Sequence, residues 1–262
     1  MKIHFYKYQG TGNDFVILDN RDSAYNGLTE KQINALCNRR FGIGADGLML
    51  LNNKEGYDFE MIYYNADGGE GSMCGNGGRC LVKFANDIGI KKLTYKFIAT
   101  DGEHEAEIDE DDDTISLRMK DVTNVEEERG DYILDTGSPH FVRMVNELEK
   151  LDVLEKGREI RYNDTYKKKG INVNFVSVKG DYEIEVRTYE RGVEDETYSC
   201  GTGVTASALV CYHNDNGFNN VSVHTKGGDL TVEYDRLDDD RYTNIWLCGP
   251  AKKVFEGDLE IQ

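Results

Sequence analysis

Hydrophobic and polar positions change period several times along this chain, and the changes predict its elements. Alternating or continuous β-formers at residues 3–8 and 15–19 flank the polar cluster Gln9-Gly10-Thr11-Gly12-Asn13-Asp14, which predicts two strands with Asn13 at the turn between them. Thr29 and Gln32 have capping-box spacing, and Ile33, Leu36 and Cys37 then repeat with the one-sided period of a short helix ending near residue 40. The apolar run 48–51 follows a glycine-rich loop, and residues 59–64 alternate as a strand ending at Asn65. Leu81, Phe84, Ala85 and Ile88 return to helical spacing, and strands follow at 93–99, 105–108 and 114–119 with an acidic turn at 109–113. Residues 122–130 are polar and charged and read as a linker. Beyond them the pattern predicts strands at 131–134, 141–145, 173–178, 182–189, 221–224, 230–234 and 243–247, with helices at 147–155 and 204–213. The last of these helices is small or apolar nearly all round, so it has no wet face and should run through the middle of its domain.

The two halves repeat each other. Phe15-Val16 and Phe141-Val142 stand the same number of residues ahead of Cys74 and Cys200, and each pair follows a glycine turn. Thr100-Asp101-Gly102 and Thr225-Lys226-Gly227 lie at nearly equal distances behind the same two cysteines. A period of about 126 residues is too long for a solenoid and suits two copies of one domain. The expected division is residues 1–120, completed by a terminal strand within 252–262, and residues 121–251.

Composition narrows the functional classes. A formal net charge of −18, with acidic runs around residues 103–113, 126–128 and 238–240, would repel nucleic acid and anionic membrane surfaces. No apolar run reaches the ~20 residues that span a bilayer, and the first residues lack the apolar centre of a secretory signal, so a cytoplasmic location is expected. Six cysteines without dense spacing and five scattered histidines form neither a disulfide scaffold nor a zinc pattern, and the glycine loop at 41–47 lacks a dinucleotide or Walker signature. No metal and no cofactor is expected.

The candidate chemistry lies in Ser72-Met73-Cys74-Gly75-Asn76-Gly77-Gly78-Arg79 and its echo Ser199-Cys200-Gly201-Thr202-Gly203-Val204. Each puts a cysteine at the start of a helical pattern, where unpaired amides and the positive end of the dipole favour a thiolate. Amides of Gly75, Asn76, Gly201 and Thr202 could hold a carboxylate at the same two helix starts. Two such cysteines suggest paired acid–base chemistry, in which one sulfur removes a proton and the other delivers one. One must begin as thiolate and the other as thiol, and like-charge coupling favours that single-thiolate state. Cys37, Cys80, Cys211 and Cys248 read as structural.

Gly12-Asn13-Asp14-Phe15, Gly42-Ile43-Gly44 with Asp46, Asn65-Ala66-Asp67-Gly68, Cys74-Gly75-Asn76-Gly77 with Arg79-Cys80, Pro139-His140, Asn172, Tyr189-Glu190-Arg191-Gly192, Glu196-Thr197 and Cys200-Gly201-Thr202-Gly203 occur in one order along nearly the whole chain. In these pieces the chain resembles the diaminopimelate epimerases. The resemblance implies an α+β fold of two pseudo-symmetric domains, each an antiparallel barrel-like sheet around a central helix, with the substrate in the cleft between them. It implies a cofactor-independent epimerase that interconverts LL- and meso-diaminopimelate for lysine and peptidoglycan precursors, and it is compatible with a homodimer. By the same resemblance Cys74, Cys200, His140 and Glu190 are the catalytic set, with His140 adjusting a cysteine. Asn13, Asn65, Gly75, Asn76, Asn172, Glu190, Arg191, Gly201 and Thr202 bind substrate, Glu190 suiting an ammonium and Arg191 a carboxylate. Two positions depart from the commoner pattern: Ser138 stands where asparagine precedes Pro-His, and Gly47 where many members carry a larger polar residue. The rival readings are another two-cysteine amino-acid racemase of this fold, a dithiol redox protein, and a non-catalytic amino-acid-binding module. Asn76 and Glu190-Arg191 argue against a proline racemase.

Overall fold

A computed structural model describes residues 1–71, 73–109, 111–211 and 216–261 of the 262. In chain order the first elements are β1 (Lys2–Gly10), β2 (Asn13–Asp19), α1 (Glu30–Cys37), β3 (Gly47–Asn52), β4 (Phe59–Asn65), α2 (Gly75–Asp87), β5 (Thr94–Ala99), β6 (Gly102–Asp109) and β7 (Thr114–Arg118). They continue as β8 (Val125–Glu128), β9 (Asp131–Asp135), β10 (Pro139–Met144), α3 (Val153–Arg161), β11 (Asn172–Gly180), β12 (Glu183–Glu190), β13 (Asp195–Thr197), α4 (Gly201–Cys211), β14 (Gly217–Thr225), β15 (Gly228–Arg236), β16 (Tyr242–Pro250) and β17 (Lys252–Glu260). The chain folds into two compact units, Met1–Leu117 with Pro250–Gln262, and Arg118–Gly249.

In the first unit the hydrogen-bonded order is β17-β1-β2-β3-β4-β5-β6-β7. The steps β2 to β3 and β4 to β5 are parallel and the rest antiparallel. In the second unit the order is β8-β9-β10-β11-β12-β14-β15-β16, with β10 to β11 and β12 to β14 parallel. The two series of directions are identical. A parallel step needs a crossover, and the same crossovers carry helices in both units: α1 and α3 at the first, α2 and α4 at the second. This shared series, mixed rather than wholly antiparallel, is the structural form of the duplication. It also accounts for β17, which takes beside β1 the place that β8 takes beside β9.

The second crossover helix of each unit is its core. Every residue of α2 from Gly75 to Val82 is buried, and so are Phe84 and Ala85. The helix touches β17, β1, β2, β3 and β6, strands from both ends of the ribbon, so the sheet curls around it. α4 is buried from Gly203 to Val210 and meets β9, β10, β11, β12, β14 and β15 in the same way. Burying apolar surface on all sides of a helix contributes about 25 cal/mol per Å², which is why α4 can dispense with a polar face. Among the described residues no helix is long and apolar enough to cross a membrane.

Several expectations need correction. Residues 122–130 are no linker: β8 pairs with β9 through the two-residue turn Arg129-Gly130, at φ 56° and 85°. The glutamates that made the stretch look like linker are the solvated side chains of an edge strand, where charge is the usual protection against stray pairing. The helix expected at 147–155 is a single 3-10 turn, Leu148–Lys150, followed by α3, because the Asp152 carboxylate accepts from the Glu155 amide and starts the helix there. α1 keeps its Thr29/Gln32 capping box but ends at Cys37, short of residue 40. β13 is only three residues long and has no periodicity to read. The expected end of α4 at 212–213, the middle of the acidic turn at Glu110, and Ser72 lie outside the described residues.

Candidate active site

In the first unit the β1–β2 hairpin turns on Thr11-Gly12, both at positive φ (47° and 82°), the geometry that suits the twist of its strands. Asn13 is thereby the first residue of β2. Parallel pairing sets Phe15 beside Gly47, so Asp46 reaches back to Asn13 and Asp14. Asn13 Nδ2 donates to Asp46 Oδ2 at 2.6 Å, and the Asp14 amide donates to the same oxygen at 3.1 Å. A carboxylate only accepts, so the Asn13 amide has one orientation. Its Oδ1 then accepts from Cys74 Sγ at 3.5 Å and from Asn76 Nδ2 at 3.4 Å. Asn76 is fixed from its other side by the wholly buried Arg79, whose Nη2 donates to Asn76 Oδ1 at 2.9 Å.

Behind this lies a charge network. Lys7, 5% exposed, pairs with Asp14 at 2.6 Å, while Arg39 donates to both Asp14 oxygens and to Asp46 Oδ1. Burial alone would raise the Asp14 carboxyl, but hydrogen bonds from Arg39 and Lys7 outweigh it and hold the group at about 2. None of these supporting roles was assigned from sequence, although Asp14 and Asp46 belong to the matching motifs. Cys74 caps α2 in extended backbone (φ −105°, ψ 129°), its carbonyl accepting from Gly78 at 2.7 Å and its sulfur making no capping bond. The sulfur therefore sits at the helix start without neutralising it.

Asn65 ends β4 opposite Gly47, so Asn13, Gly47 and Asn65 share one end of three adjacent strands. Gly47 now has a reason. A Cβ there would lie 2.5 Å from the Tyr63 ring and 2.8 Å from its hydroxyl, so Tyr63 fills the space that a larger residue at position 47 would take. The Tyr63 ring also stands edge-on to Phe15, with centroids 6.1 Å apart.

The second unit builds the corresponding region from different groups. Cys200 is 8% exposed and immediately precedes α4; its carbonyl accepts from Val204 at 2.8 Å, and its Sγ lies 3.5 Å from Thr202 Oγ1. Thr136, from the segment entering β10, donates to the Thr202 carbonyl at 2.8 Å and ties that turn to the sheet. His140 is fully buried, and burial brings it down to about 3, so the ring is neutral. Its Nδ1 lies 3.1 Å from Asn174 Nδ2.

Asn172 starts β11 beside His140, and its Nδ2 donates to Ser138 Oγ at 2.9 Å and to the Pro139 carbonyl at 3.2 Å. Asn172 Oδ1 accepts from the Arg191 amide at 2.9 Å. The Arg191 guanidinium is exposed and donates to the Lys169 carbonyl and to Ser138 Oγ at 3.4 Å. Ser138 thus joins Asn172 to Arg191, a role its serine-for-asparagine departure gave no hint of. Glu190 is half-buried at the end of β12, next to Arg191. In the first unit Asn13 thus meets Cys74 and Asn76, with Asn65 at the same end of the strands, and in the second Asn172 meets Arg191 while His140 packs against Gly203 of the turn that holds Cys200, Gly201 and Thr202. Among the described residues no group of His, Cys, Asp and Glu side chains could hold a metal ion.

The sequence profile of the family described as diaminopimelate epimerase matches this chain twice, over residues 5–125 and 132–254. The chain belongs to the diaminopimelate epimerase family. It is 49% identical over 252 residues to the diaminopimelate epimerase of Flavobacterium psychrophilum, covering 96% of this chain and 98% of that protein. It is 42% identical to that of Chlorobaculum tepidum, covering 96% and 99%. As a family member the chain is an isomerase. Among solved structures it is similar to a Bacillus anthracis phenazine biosynthesis protein of the PhzF family, with a TM-score of 0.76 at 16% identity over the whole of both chains. It is likewise similar to a hydroxyproline epimerase from Agrobacterium vitis, with a TM-score of 0.72 at 12% identity, covering 98% of this chain and 92% of the other. These two likenesses show the α+β fold.

Proposed function

We propose that the chain interconverts LL- and meso-diaminopimelate with two thiols, Cys74 and Cys200, one removing the α-proton and the other delivering its own proton to the opposite side, without a cofactor. The observation that carries this reading is that two halves with the same series of strand directions each place a cysteine directly before the first turn of a buried helix. Inversion requires a base on one side of the α-carbon and an acid on the other, and a duplicated half-site supplies two groups of the same kind. The thiolate abstracts the proton, the thiol delivers one to the opposite side, and the roles are exchanged for the reverse direction. Amides of Gly75, Asn76, Gly201 and Thr202 hold the reacting carboxylate, where the helix starts offset the charge that develops as the carbon loses its proton. Asn13 and Asn76 order the Cys74 side, and His140 attends the Cys200 side. Asn65, Asn172, Glu190 and Arg191 recognise the distal ammonium and carboxylate, which no ordinary amino acid presents together. The small-molecule product feeds lysine and peptidoglycan precursors, and chemistry that needs two reduced thiols suits the cytoplasm.

The test is turnover of LL-diaminopimelate by dialysed, reduced protein with no added cofactor, beside proline, glutamate and lysine. Epimerisation of diaminopimelate alone supports the reading. Turnover of proline, or none without an added cofactor, would overturn it.

A further inference from the structure

We propose that Asn174 is a positioning residue that holds His140 as the neutral imidazole with its single proton on Nε2, and that the start of α4 depends on this tautomer. The functional half rests on the reading of Cys200 as a reacting thiol; the tautomer itself does not.

Asn174 is fully buried on β11, two residues beyond Asn172 and directly opposite Thr188 of β12. Its Nδ2 lies 3.0 Å from the Phe141 carbonyl and 3.1 Å from His140 Nδ1, and its Oδ1 lies 2.9 Å from Thr188 Oγ1. A carbonyl can only accept, so the group facing Phe141 must be the NH2, since a flipped amide would set oxygen against oxygen. One amide proton goes to Phe141, and the other points at His140 Nδ1. That nitrogen must receive it on a lone pair and cannot itself carry a proton. Thr188 secures the same orientation by donating to Oδ1.

The ring is neutral because burial disfavours its charged form. Its one proton therefore sits on Nε2, which is buried and has no hydrogen-bond partner among the described residues. Buried donors are rarely left in that state, and an exception calls for a reason. The ring's position supplies one. A Cβ on Gly203 would lie 3.4 Å from His140 Cε1 and 2.3 Å from Asn174 Oδ1, so both side chains are packed on the first turn of α4. Cys200 is three residues earlier in the chain. A neutral donor there is available to negative charge arising at the helix start, whereas an Nδ1-protonated ring would present only a lone pair.

The direct test uses the full-length protein labelled with 15N-histidine, with the His140 signals assigned by their loss in His140→Asn. Long-range 1H–15N correlation should show Nε2 protonated and Nδ1 unprotonated throughout pH 8 to 5. A proton on Nδ1, or an imidazolium appearing in that range, would overturn the proposal whether or not any variant folds. Asn174→Asp replaces the donor by an acceptor and should move the proton to Nδ1. It should also lower kcat for epimerisation at least tenfold with KM changed less than threefold. An inverted tautomer with unchanged kcat, or an unchanged tautomer in Asn174→Asp, would contradict it. If the wild-type protein shows the Nε2 proton yet fails to epimerise diaminopimelate, the functional reading falls while the tautomer assignment stands.

Discussion

Asp14 and His140 occupy equivalent places in the two units, each just before the Phe-Val pair that aligns its strand with the parallel neighbour, Phe15 with Gly47 and Phe141 with Val173. One fold has braced that place in two ways. In the first unit the brace is ionic: Asp14 and Asp46 are clamped by Lys7 and Arg39, and the order runs outward through Asn13 to Cys74 and Asn76. In the second it is neutral: His140, Asn174 and Thr188 are joined by hydrogen bonds among uncharged groups, with His140 and Asn174 packed on α4. The cysteines reflect the difference. Cys74 faces an amide oxygen, which can only accept, whereas Cys200 faces a hydroxyl, which can accept from a thiol or donate to a thiolate. A duplicated scaffold thus sets two like cysteines in unlike surroundings.

The largest expected effect sets that asymmetry aside. Cys74→Ala and Cys200→Ala should each reduce net epimerisation by more than about a thousandfold, on the scale of losing a group that acts as part of a unit. Stereo-resolved chromatography, with circular dichroism to confirm folding, measures this. A variant keeping more than a tenth of wild-type turnover would remove that cysteine from the reaction.

Stability should separate the two braces. Asp14→Ala leaves Lys7 buried beside no carboxylate of its own and should cost about 3 kcal/mol or more. Asn174→Ala removes neutral hydrogen bonds and should cost about 1–3 kcal/mol. Urea unfolding of both variants gives the order directly, and the reverse order would show that the ionic brace is not the stronger one.

Acid separates them along the pH axis. His140 has a folded pKa of about 3, below its unfolded 6.5. Its contribution is therefore complete above 6.5 and is lost as pH falls toward 3. Asp14 has a folded pKa of about 2, below its unfolded 3.8, so its contribution is complete above 3.8 and is lost only as pH falls toward 2. At pH 5, after correction for intrinsic rates, amide exchange in α4 should have accelerated while that in α2 has not. His140→Asn should abolish the difference. Equal acceleration of both helices would mean that the braces do not titrate separately.

The smallest effect concerns Ser138. Ser138→Ala removes the oxygen shared by Asn172 and Arg191 and should raise KM for diaminopimelate several-fold with little change in kcat, as expected for a residue that orders a binding group. A kcat loss as large as that of Asn174→Asp would place Ser138 nearer the chemistry.

Much of this was legible in the chain, and the reason differs by feature. The cysteine-glycine starts of α2 and α4 stand out because helix starts have a strict local grammar, and the duplication shows because equal spacings survive where side chains diverge. The strand direction series was not legible, since parallel and antiparallel neighbours draw on the same β-formers. β8 passed for linker because its Glu126–Glu128 side chains point to water. The support for the site was the least visible part. Lys7, Arg39, Asp14 and Asp46 look like ordinary surface charges until the fold brings residues far apart in sequence together. Asn174 left one faint sign: two asparagines, 172 and 174, on alternate positions at the start of a strand whose next residues are apolar, where period two puts both on one face.

The central claim is that two thiols, one from each half, divide the inversion, one removing the α-proton and the other delivering a different proton. It is tested most directly by converting LL-diaminopimelate in D2O and examining both isomers by mass spectrometry within the first few per cent of reaction. With two monoprotic groups, the meso product should carry deuterium at the inverted carbon while the remaining LL substrate stays unlabelled. Meso product that retains the substrate's own hydrogen would show one group serving both faces and would contradict the account.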